Sequence, residues 1–210
     1  MKLLHIIASP RGEKSRSTRI ANEFINALKS KHPDLVVEDL DLFQLTLPTL
    51  NQSVTEAKYM SIAGATLDTA SQFMWNEVTD IATSFKSYDM YVISAPMWNF
   101  SIPYKLKHYI DVIMQPGILF KFTATGVEGL TTNKKMICIT ARGSDYGVNS
   151  PMNALDHQEP YLRAIFGFAG ITDITFVNAQ PLDYTPDLAT IMMTQATNSA
   201  VELASSIDLA

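Results

Sequence analysis

Short, nearly continuous apolar runs alternate along this chain with longer stretches in which apolar residues recur every three or four positions. The first pattern is typical of strands covered on both faces, and the second is typical of helices that pack on a sheet. The pattern predicts five strands: LLHIIAS from Leu3, LVVEDLDL from Leu35, MYVISAP from Met90, KMICIT from Lys135 and ITFVNA from Ile174. This alternation predicts an α/β fold with a parallel sheet.

Helices are predicted between these strands and after the last one. The first begins after Ser17 or Thr18, either of which can cap its N-terminus, and the second spans residues 69–86. The helical spacing within the second predicts that it faces the core with Phe73, Val78, Ile81, Ala82 and Phe85. The remaining helices start at Pro103, within the segment PYLRAIFGFAG, and at Thr185 followed by Pro186.

The predicted elements also indicate where a ligand binds. Because crossovers between parallel strands are right-handed, five strands predict a single flavodoxin-like domain over residues 1–210, with strand order 2-1-3-4-5 and helices on both faces. Such sheets bind ligands beyond the carboxyl ends of the strands, where the strand order reverses. Three loops meet that edge: SPRGEKSRST after the first strand, PMWNFSIP after the third and ARGSDYG after the fourth.

The loop after the first strand is rich in groups that bind anions. Hydroxyl donors and one positive charge come from Ser9, Ser15, Arg16, Ser17 and Thr18, and the start of the following helix supplies free backbone N–H groups. The loop lacks both G-x-G-x-x-G and G-x-x-x-x-G-K-[ST], which excludes the dinucleotide fingerprint and the nucleoside-triphosphate loop. A terminal phosphate monoester fits this donor set, and helix capping alone is the alternative interpretation.

The loop after the third strand places Met97, Trp98 and Phe100 around Asn99. This combination suits a planar apolar group with a polar edge. The ARGSDYG loop adds backbone N–H groups at a glycine turn, which suit the pyrimidine edge of a flavin. An aromatic loop that only fills the core is the alternative for either segment alone. Together the three loops favour a ligand site.

Composition and charge narrow the class of protein. The 210 residues fit one domain with a substantial core, and the net charge of −5 argues against a nucleic-acid partner. No apolar run reaches the roughly 18 residues of a membrane span, and the first residues do not resemble a signal peptide. A cytoplasmic protein without a membrane partner is therefore expected. Cys138 is expected to pack within a strand, and no metal-binding spacing is found among the histidines.

The sequence resembles the FMN-dependent NADH azoreductases, also described as NADH:quinone oxidoreductases, of the flavodoxin-like superfamily. The similarity runs nearly end to end and rests on SPRGEKSRS, APMWNFSIPYKLKHYID, GVEGL, KKMICITARG and YLRAIFGFAGI. The resemblance implies bound FMN, NADH as the co-substrate, and two-electron, ping-pong reduction of quinones and aromatic azo compounds. The flavin N5 then carries the hydride, so no catalytic side chain is expected.

The resemblance also implies which residues hold FMN. The phosphate would lie on the first loop, and the ring system would lie against the loops after the third and fourth strands. The implied contacts are Ser9, Ser15, Arg16 and Ser17 for the phosphate, and Met97, Trp98, Asn99, Phe100, Thr140, Ala141, Arg142 and Gly143 for the ring. The chain departs from the family pattern in two places. Trp98 stands where Tyr is usual, and Thr140 with Ser144 replaces Ser and Gly.

Enzymes of this family are homodimers whose flavin sites lie at the subunit interface. The resemblance therefore implies that residues 43–68 and the segment QPGILFKFTATG line the site from either chain. Phe120, Phe122 and His157 are the candidate contacts to a small aromatic acceptor. Packing of both phenylalanines on their own subunit, and a surface or capping role for His157, are the alternatives. His5 is expected to be structural or solvent-facing, and no Ser-His-Asp arrangement indicates a hydrolase.

A second class of function remains open at this point. A flavodoxin-type carrier also binds FMN, but it passes single electrons to protein partners. Such carriers are typically shorter and more acidic than this chain, and bleaching of the flavin by NADH alone distinguishes an enzyme from a carrier. A structural relative without a nucleotide is a third interpretation, which the colour of the purified protein tests.

Overall fold

The predicted strands form one parallel sheet in the computed structural model of the protein, which describes residues 1–209. In chain order the strands are β1 (Lys2–Ile7), β2 (Val36–Asp41), β3 (Met90–Pro96), β4 (Phe120–Thr123), β5 (Gly126–Gly129), β6 (Lys135–Ala141) and β7 (Asp173–Ala179). Within these residues the sheet has five strands in the order β2-β1-β3-β6-β7, and β4 pairs with β5 as a separate antiparallel hairpin. The predicted strand order is confirmed, because β6 and β7 are the fourth and fifth strands of the sheet.

The helices fill the connections between the strands. They are α1 (Arg16–Lys31), α2 (Gln52–Ile62), α3 (Thr69–Lys86), α4 (Tyr104–Ile113), α5 (Glu159–Phe168) and α6 (Pro186–Ser206). The predicted bounds of α3 are confirmed, and Thr185 caps α6 as predicted. The predicted cap of α1 is wrong. Ser15, rather than Ser17 or Thr18, is the N-cap, and its hydroxyl accepts from the Thr18 N–H at 3.3 Å. Several nearby hydroxyls offer the same capping chemistry, so the sequence pattern did not distinguish them.

Neighbouring residues of the central strands enter different cores because successive side chains point to opposite faces. Leu3 and Val92 pack with α1 and α6, whereas Leu4 and Tyr91 pack with α3, α4 and α5. Helices therefore lie on both sides of the sheet. Cys138 is buried in the core beside α3, α4 and α5, and burial raises the pKa of its thiol.

The predicted core face of α3 is wrong at Phe73, which is 65% exposed. Phe73 precedes Val78 by five residues, which is a rotation of about 140° around the helix axis, so the two side chains do not share a face. Trp75 is buried instead and packs with Val54 and Ala57 of α2. The segment from 43 to 68, which the sequence marked only as a long excursion, thus contains a helix that covers α3.

Across the described part of the chain, no helix combines the length and the apolar character that a membrane crossing requires.

Candidate functional site

A cavity of about 240 Å³ lies at the carboxyl edge of the sheet. The three loops predicted from the sequence line it, together with residues that the prediction did not include. The structure brings nine of the predicted cofactor residues to this cavity: Ser9, Ser15, Arg16, Ser17, Met97, Trp98, Ala141, Arg142 and Gly143. Arg11, Pro96 and Asp183 also line it.

The polar end of the cavity is formed by the loop between β1 and α1. The side chains of Ser9, Ser15 and Ser17 are buried and line the cavity. The first hydrogen bond within α1 is donated by the Arg19 N–H to the Ser15 carbonyl, so the N–H groups of Arg16 and Ser17 precede the helical bonding pattern. Buried hydroxyls and free N–H groups at the positive end of a helix dipole suit an anion.

One acidic residue faces this donor-rich region. Asp183 lies in the loop after β7, and its Oδ1 is 2.7 Å from Nη1 of Arg16. A Cβ atom at Gly143 would lie 2.5 Å from Asp183 Oδ2, so the missing side chain at Gly143 leaves room for this carboxylate. Sequence reasoning missed Asp183. The signal was present, because the carboxyl end of the fifth strand reaches the same edge as the other three loops.

The loop after β3 is a tight turn with two residues in the left-handed region. Trp98 and Ser101 exchange backbone hydrogen bonds of 2.9 Å, and between them Asn99 and Phe100 have φ angles of +48° and +69°. Two consecutive positive φ angles are characteristic of a type I′ turn. Each such residue other than glycine costs on the order of 1 kcal/mol or more, and such strain concentrates at functional sites. The His157 N–H supports the turn by donating to the Phe100 carbonyl at 2.9 Å.

Trp98 also borders a second cavity of about 500 Å³. Asn99 lies on this second cavity rather than on the first, together with Ser101, Ile102, Tyr104, Lys107 and Tyr161. The indole ring stacks on Tyr104, with centroids 6.5 Å apart, and meets Phe43 edge-on at 6.1 Å. The ring of Phe100 is partly exposed and contacts Tyr146 edge-on. The aromatic loop therefore separates two adjoining cavities.

The loop after β6 is held by a buried ionic network. Arg142 is 1% exposed, and its Nη1 lies 2.8 Å from Asp156 Oδ2. Its Nε donates to Thr140 Oγ1 at 2.9 Å and to Gln158 Oε1 at 3.1 Å. Burial lowers the pKa of the guanidinium against the effect of the neighbouring carboxylates. Thr140 in turn donates to Asn178 Oδ1 at 2.7 Å. These interactions connect the loop to α5 and β7.

The three candidate acceptor contacts lie outside the lining of both cavities. Phe120 is buried against Phe168 of α5, with ring centroids 4.7 Å apart, and Phe122 is 73% exposed on the same hairpin. His157 is exposed, and its backbone N–H contacts the site through the hydrogen bond to the Phe100 carbonyl.

His5 is fully buried, so the solvent-facing alternative is wrong. Its Nδ1 lies 2.9 Å from Asp39 Oδ1, and its Nε2 lies 3.0 Å from Ser94 Oγ. His5, Asp39 and Ser94 are far apart in the chain and meet only on neighbouring strands, so the sequence does not reveal this Ser-His-Asp arrangement. Ser94 is fully buried, so the arrangement offers a substrate no accessible nucleophile.

Comparisons with known proteins agree with this geometry. The family model for the flavodoxin-like fold matches residues 1–202. An FMN-dependent NADH:quinone oxidoreductase from Nitratidesulfovibrio vulgaris is 39% identical over 203 residues, which cover 96% of this chain and 97% of that protein. An azoreductase structure from Bacillus anthracis strain Sterne has a TM-score of 0.90 at 27% identity and covers 99% of this chain and 100% of its own.

A second solved structure is an FMN-dependent NADH-azoreductase from Bacillus anthracis strain Ames Ancestor in complex with FMN. It has a TM-score of 0.84 at 30% identity, and the match covers 97% of this chain and 99% of that one. The strand order, the cavity at the carboxyl edge and these similarities point to one assignment. The chain belongs to the family of FMN-dependent NADH:quinone oxidoreductases with a flavodoxin-like fold.

Proposed function

We propose that this protein is an FMN-dependent oxidoreductase that uses NADH to reduce quinones and aromatic azo compounds. The observation that carries the proposal is one cavity with two chemically different ends. Buried serine hydroxyls line one end, and Met97 and Trp98 wall the other. FMN has a phosphate at one end and a planar ring system at the other, so the donor set and the apolar wall both match it.

The polar end would hold the phosphate. Ser9, Ser15 and Ser17 donate hydroxyl hydrogens, and the N–H groups at the start of α1 add the helix dipole. Arg16 contributes positive charge at the same end, where its ion pair with Asp183 keeps the guanidinium oriented. Because Asp183 offsets the charge of Arg16, a dianionic phosphate in this position would be held mainly by the hydroxyl and N–H donors and by the helix dipole.

The other loops would hold the ring system. Met97, Trp98 and the backbone from 141 to 143 would form its walls. Asn99 and Phe100 follow Trp98 in the type I′ turn and lie outside the lining of this cavity, and we propose that they meet the edge of the ring system from there. Thr140 and Arg142 contribute by anchoring the loop through their buried hydrogen bonds. When bound, FMN supplies the two-electron hydride chemistry that links NADH to the acceptor, and the side chains supply binding and orientation.

The second cavity, lined by Trp98 and Tyr104, offers an aromatic surface for flat acceptors.

We further propose a homodimer in which the partner covers an apolar patch on the hairpin and α5. Phe122, Val127 and Phe168 are exposed there, and contiguous exposed apolar surface is typical of an interface. In the dimer, Phe120, Phe122 and His157 would approach the acceptor bound to either subunit. The enzyme would act in the cytoplasm, where NADH is available.

The decisive experiment adds NADH to the FMN-loaded protein without oxygen. We expect NADH alone to remove the visible flavin absorbance, and a quinone or an azo dye then to restore it. In steady-state assays, double-reciprocal plots at varied NADH and acceptor concentrations should be parallel, as a ping-pong reaction requires. A flavin that stays oxidised until a protein partner is added supports the one-electron carrier instead. Trp98→Tyr, which keeps a ring, is expected to retain the reaction, and Trp98→Ala is expected to weaken FMN binding. Light scattering should give twice the mass of one chain.

A further inference from the structure

A row of hydrogen-bonded side chains runs across the sheet to the proposed phosphate loop. It starts at Asp39 of β2, passes through His5 of β1 and Ser94 of β3, and continues to Thr18 and Ser15 at the start of α1. The successive heavy-atom distances are 2.9, 3.0, 3.4 and 2.8 Å. The strand register produces the first part of the row, because His5 lies directly opposite Asp39. The last member lines the cavity.

The end of the row at Asp39 determines which nitrogen of His5 carries a hydrogen. The hydrogen bond from His5 lowers the pKa of Asp39, partial desolvation of the carboxylate opposes this effect, and the nearby charge of Lys29 adds to it. An ionised carboxylate only accepts hydrogen bonds, so His5 Nδ1 is the donor to Asp39. The state of Nε2 then decides the direction of every later hydrogen bond in the row.

A neutral His5 cannot direct the row toward the cavity. Nε2 is then an acceptor, and Ser94 donates its only hydroxyl hydrogen to it. Thr18 also has one hydroxyl hydrogen, and it must choose between Ser94 at 3.4 Å and Ser15 at 2.8 Å. Either the contact between Ser94 and Thr18 has no hydrogen, or Thr18 donates to Ser94 and Ser15 gives its own hydrogen to Thr18, which turns the row away from the cavity.

A protonated His5 completes the row. Nε2 donates to Ser94, Ser94 donates to Thr18, and Thr18 donates to Ser15. Ser15 Oγ already accepts from the Thr18 N–H at 3.3 Å, so its own hydrogen is left for Ser17 or for an anion in the cavity. Every hydroxyl then donates toward the cavity, and such aligned chains strengthen one another in a low-dielectric interior.

We propose that His5 is a positioning residue for the phosphate site: as an imidazolium paired with Asp39, it directs the hydroxyl hydrogens of Ser94, Thr18 and Ser15 toward the bound phosphate, and phosphate binding takes up a proton at His5. This inference rests on the proposed FMN site. The charged groups that act on His5 are Asp39 from β2 and, through Asp39, Lys29 from α1. β3 and α1 present the uncharged hydroxyls of Ser94 and Thr18.

The test replaces the surface end of the row. Asp39 is exposed and lies at the opposite end of the row from the cavity, so Asp39→Asn leaves the binding residues in place. Removing a negative charge by itself strengthens anion binding. The proposed row predicts the opposite result: FMN affinity of the apoprotein falls about ten- to a hundredfold, because the imidazolium loses its counter-ion. Riboflavin, which lacks the phosphate, should bind the wild type and the variant equally.

Glu38→Gln is the matched control. Glu38 precedes Asp39 on β2 and points to the other face of the sheet, so the charge change is the same and the row is untouched. Fluorescence titration should show wild-type FMN affinity or slightly tighter binding for this variant. Equal FMN affinities for Asp39→Asn and Glu38→Gln would overturn the proposal, as would a loss that is the same for riboflavin.

Two further measurements separate positioning from a structural role. Titration calorimetry in buffers of different ionisation enthalpy should show proton uptake when FMN binds the wild type, and less uptake in Asp39→Asn. Ser94→Ala breaks the row beyond His5, and it should weaken FMN by a similar factor. The double variant should lose no more FMN affinity than the single variant with the larger loss, because both changes break one row.

If the wild type fails to bind FMN, the proposed function is wrong. If the wild type binds FMN without proton uptake, the row alone is wrong.

Discussion

Arg142 is the buried charge whose removal tests the anchoring of the loop after β6 most directly. Its guanidinium is 2.8 Å from Asp156, and the side chains of the two residues are only 1% and 9% exposed. Arg142→Met keeps an unbranched side chain but leaves the Asp156 carboxylate buried without its partner. Breaking a buried ion pair from one side costs about 3–5 kcal/mol, whereas an exposed pair contributes about 0–1 kcal/mol.

This loss is large enough to measure in two ways. For a protein of this size, each kcal/mol shifts the melting temperature by about 2–4 °C, so Arg142→Met should melt about 6–20 °C below the wild type. Urea unfolding should show the same loss as a lower midpoint at an unchanged slope. The control is Lys107→Met, which removes an exposed i,i+4 pair with Asp111 and should cost no more than about 0.5 kcal/mol.

A second variant removes the charge of Asp156 and keeps the shape of its side chain. Asp156 also accepts from the backbone N–H groups of Gln158 and Glu159, so Asp156→Asn keeps an acceptor while removing the charge. In the Arg142→Met background this change should recover about half of the lost stability or more. If Arg142→Met unfolds within about 1 kcal/mol of the wild type, the buried network does not anchor the loop.

Three further changes test the site and its supports. Ser17→Asp places a like charge beside the proposed phosphate, where repulsion of about 4 kcal/mol at an effective dielectric constant of about 20 should weaken FMN about a thousandfold; unchanged affinity in a fluorescence titration removes Ser17 from the site. Gly129→Ala places a Cβ against the backbone nitrogen of Gly170 and should cost about 1–3 kcal/mol in urea unfolding. Gly167→Ala in α5 meets no such atom and should be neutral or stabilising. Asn99→Leu removes a donor and an acceptor proposed to meet the flavin edge and should shift the midpoint potential by the equivalent of about 1–3 kcal/mol, with an altered rate of reduction by NADH; a changed melting temperature with potential and rate intact assigns Asn99 to the fold instead.

The strands, the bounds of α3 and the cap of α6 were predictable from the sequence because they depend on local patterns. A continuous apolar run marks a strand that is buried on both faces, and Thr185 followed by Pro186 marks the start of a helix. The cap of α1 was not predictable, since several hydroxyl residues lie within four positions. The prediction was wrong at Phe73 because this side chain lies about 140° around the helix axis from Val78, away from the face that packs on the core.

The location of the site was also predictable, but the roles of its residues were not. Ligands of open parallel sheets bind beyond the carboxyl ends of the strands, which indicated three loops, and the cavity lies among these loops. The same rule, applied to the fifth strand, would have included Asp183. No sequence rule indicates that Arg142 directs its guanidinium to Asp156, since that contact depends on how α5 packs against β6.

The sequence by itself determined the α/β class, the order of the five strands and the three loops at the ligand edge, because hydrophobic periodicity and the handedness of crossovers suffice for these. The tertiary structure alone decided which side chains meet. His5, Asp39 and Ser94 lie on different strands, and only their pairing register brings them within hydrogen-bond distance. Contacts between segments distant in the chain also form the ion pair of Arg16 with Asp183 and the buried network of Arg142. The type I′ turn at Asn99 depends on a backbone conformation that local residue preferences do not predict.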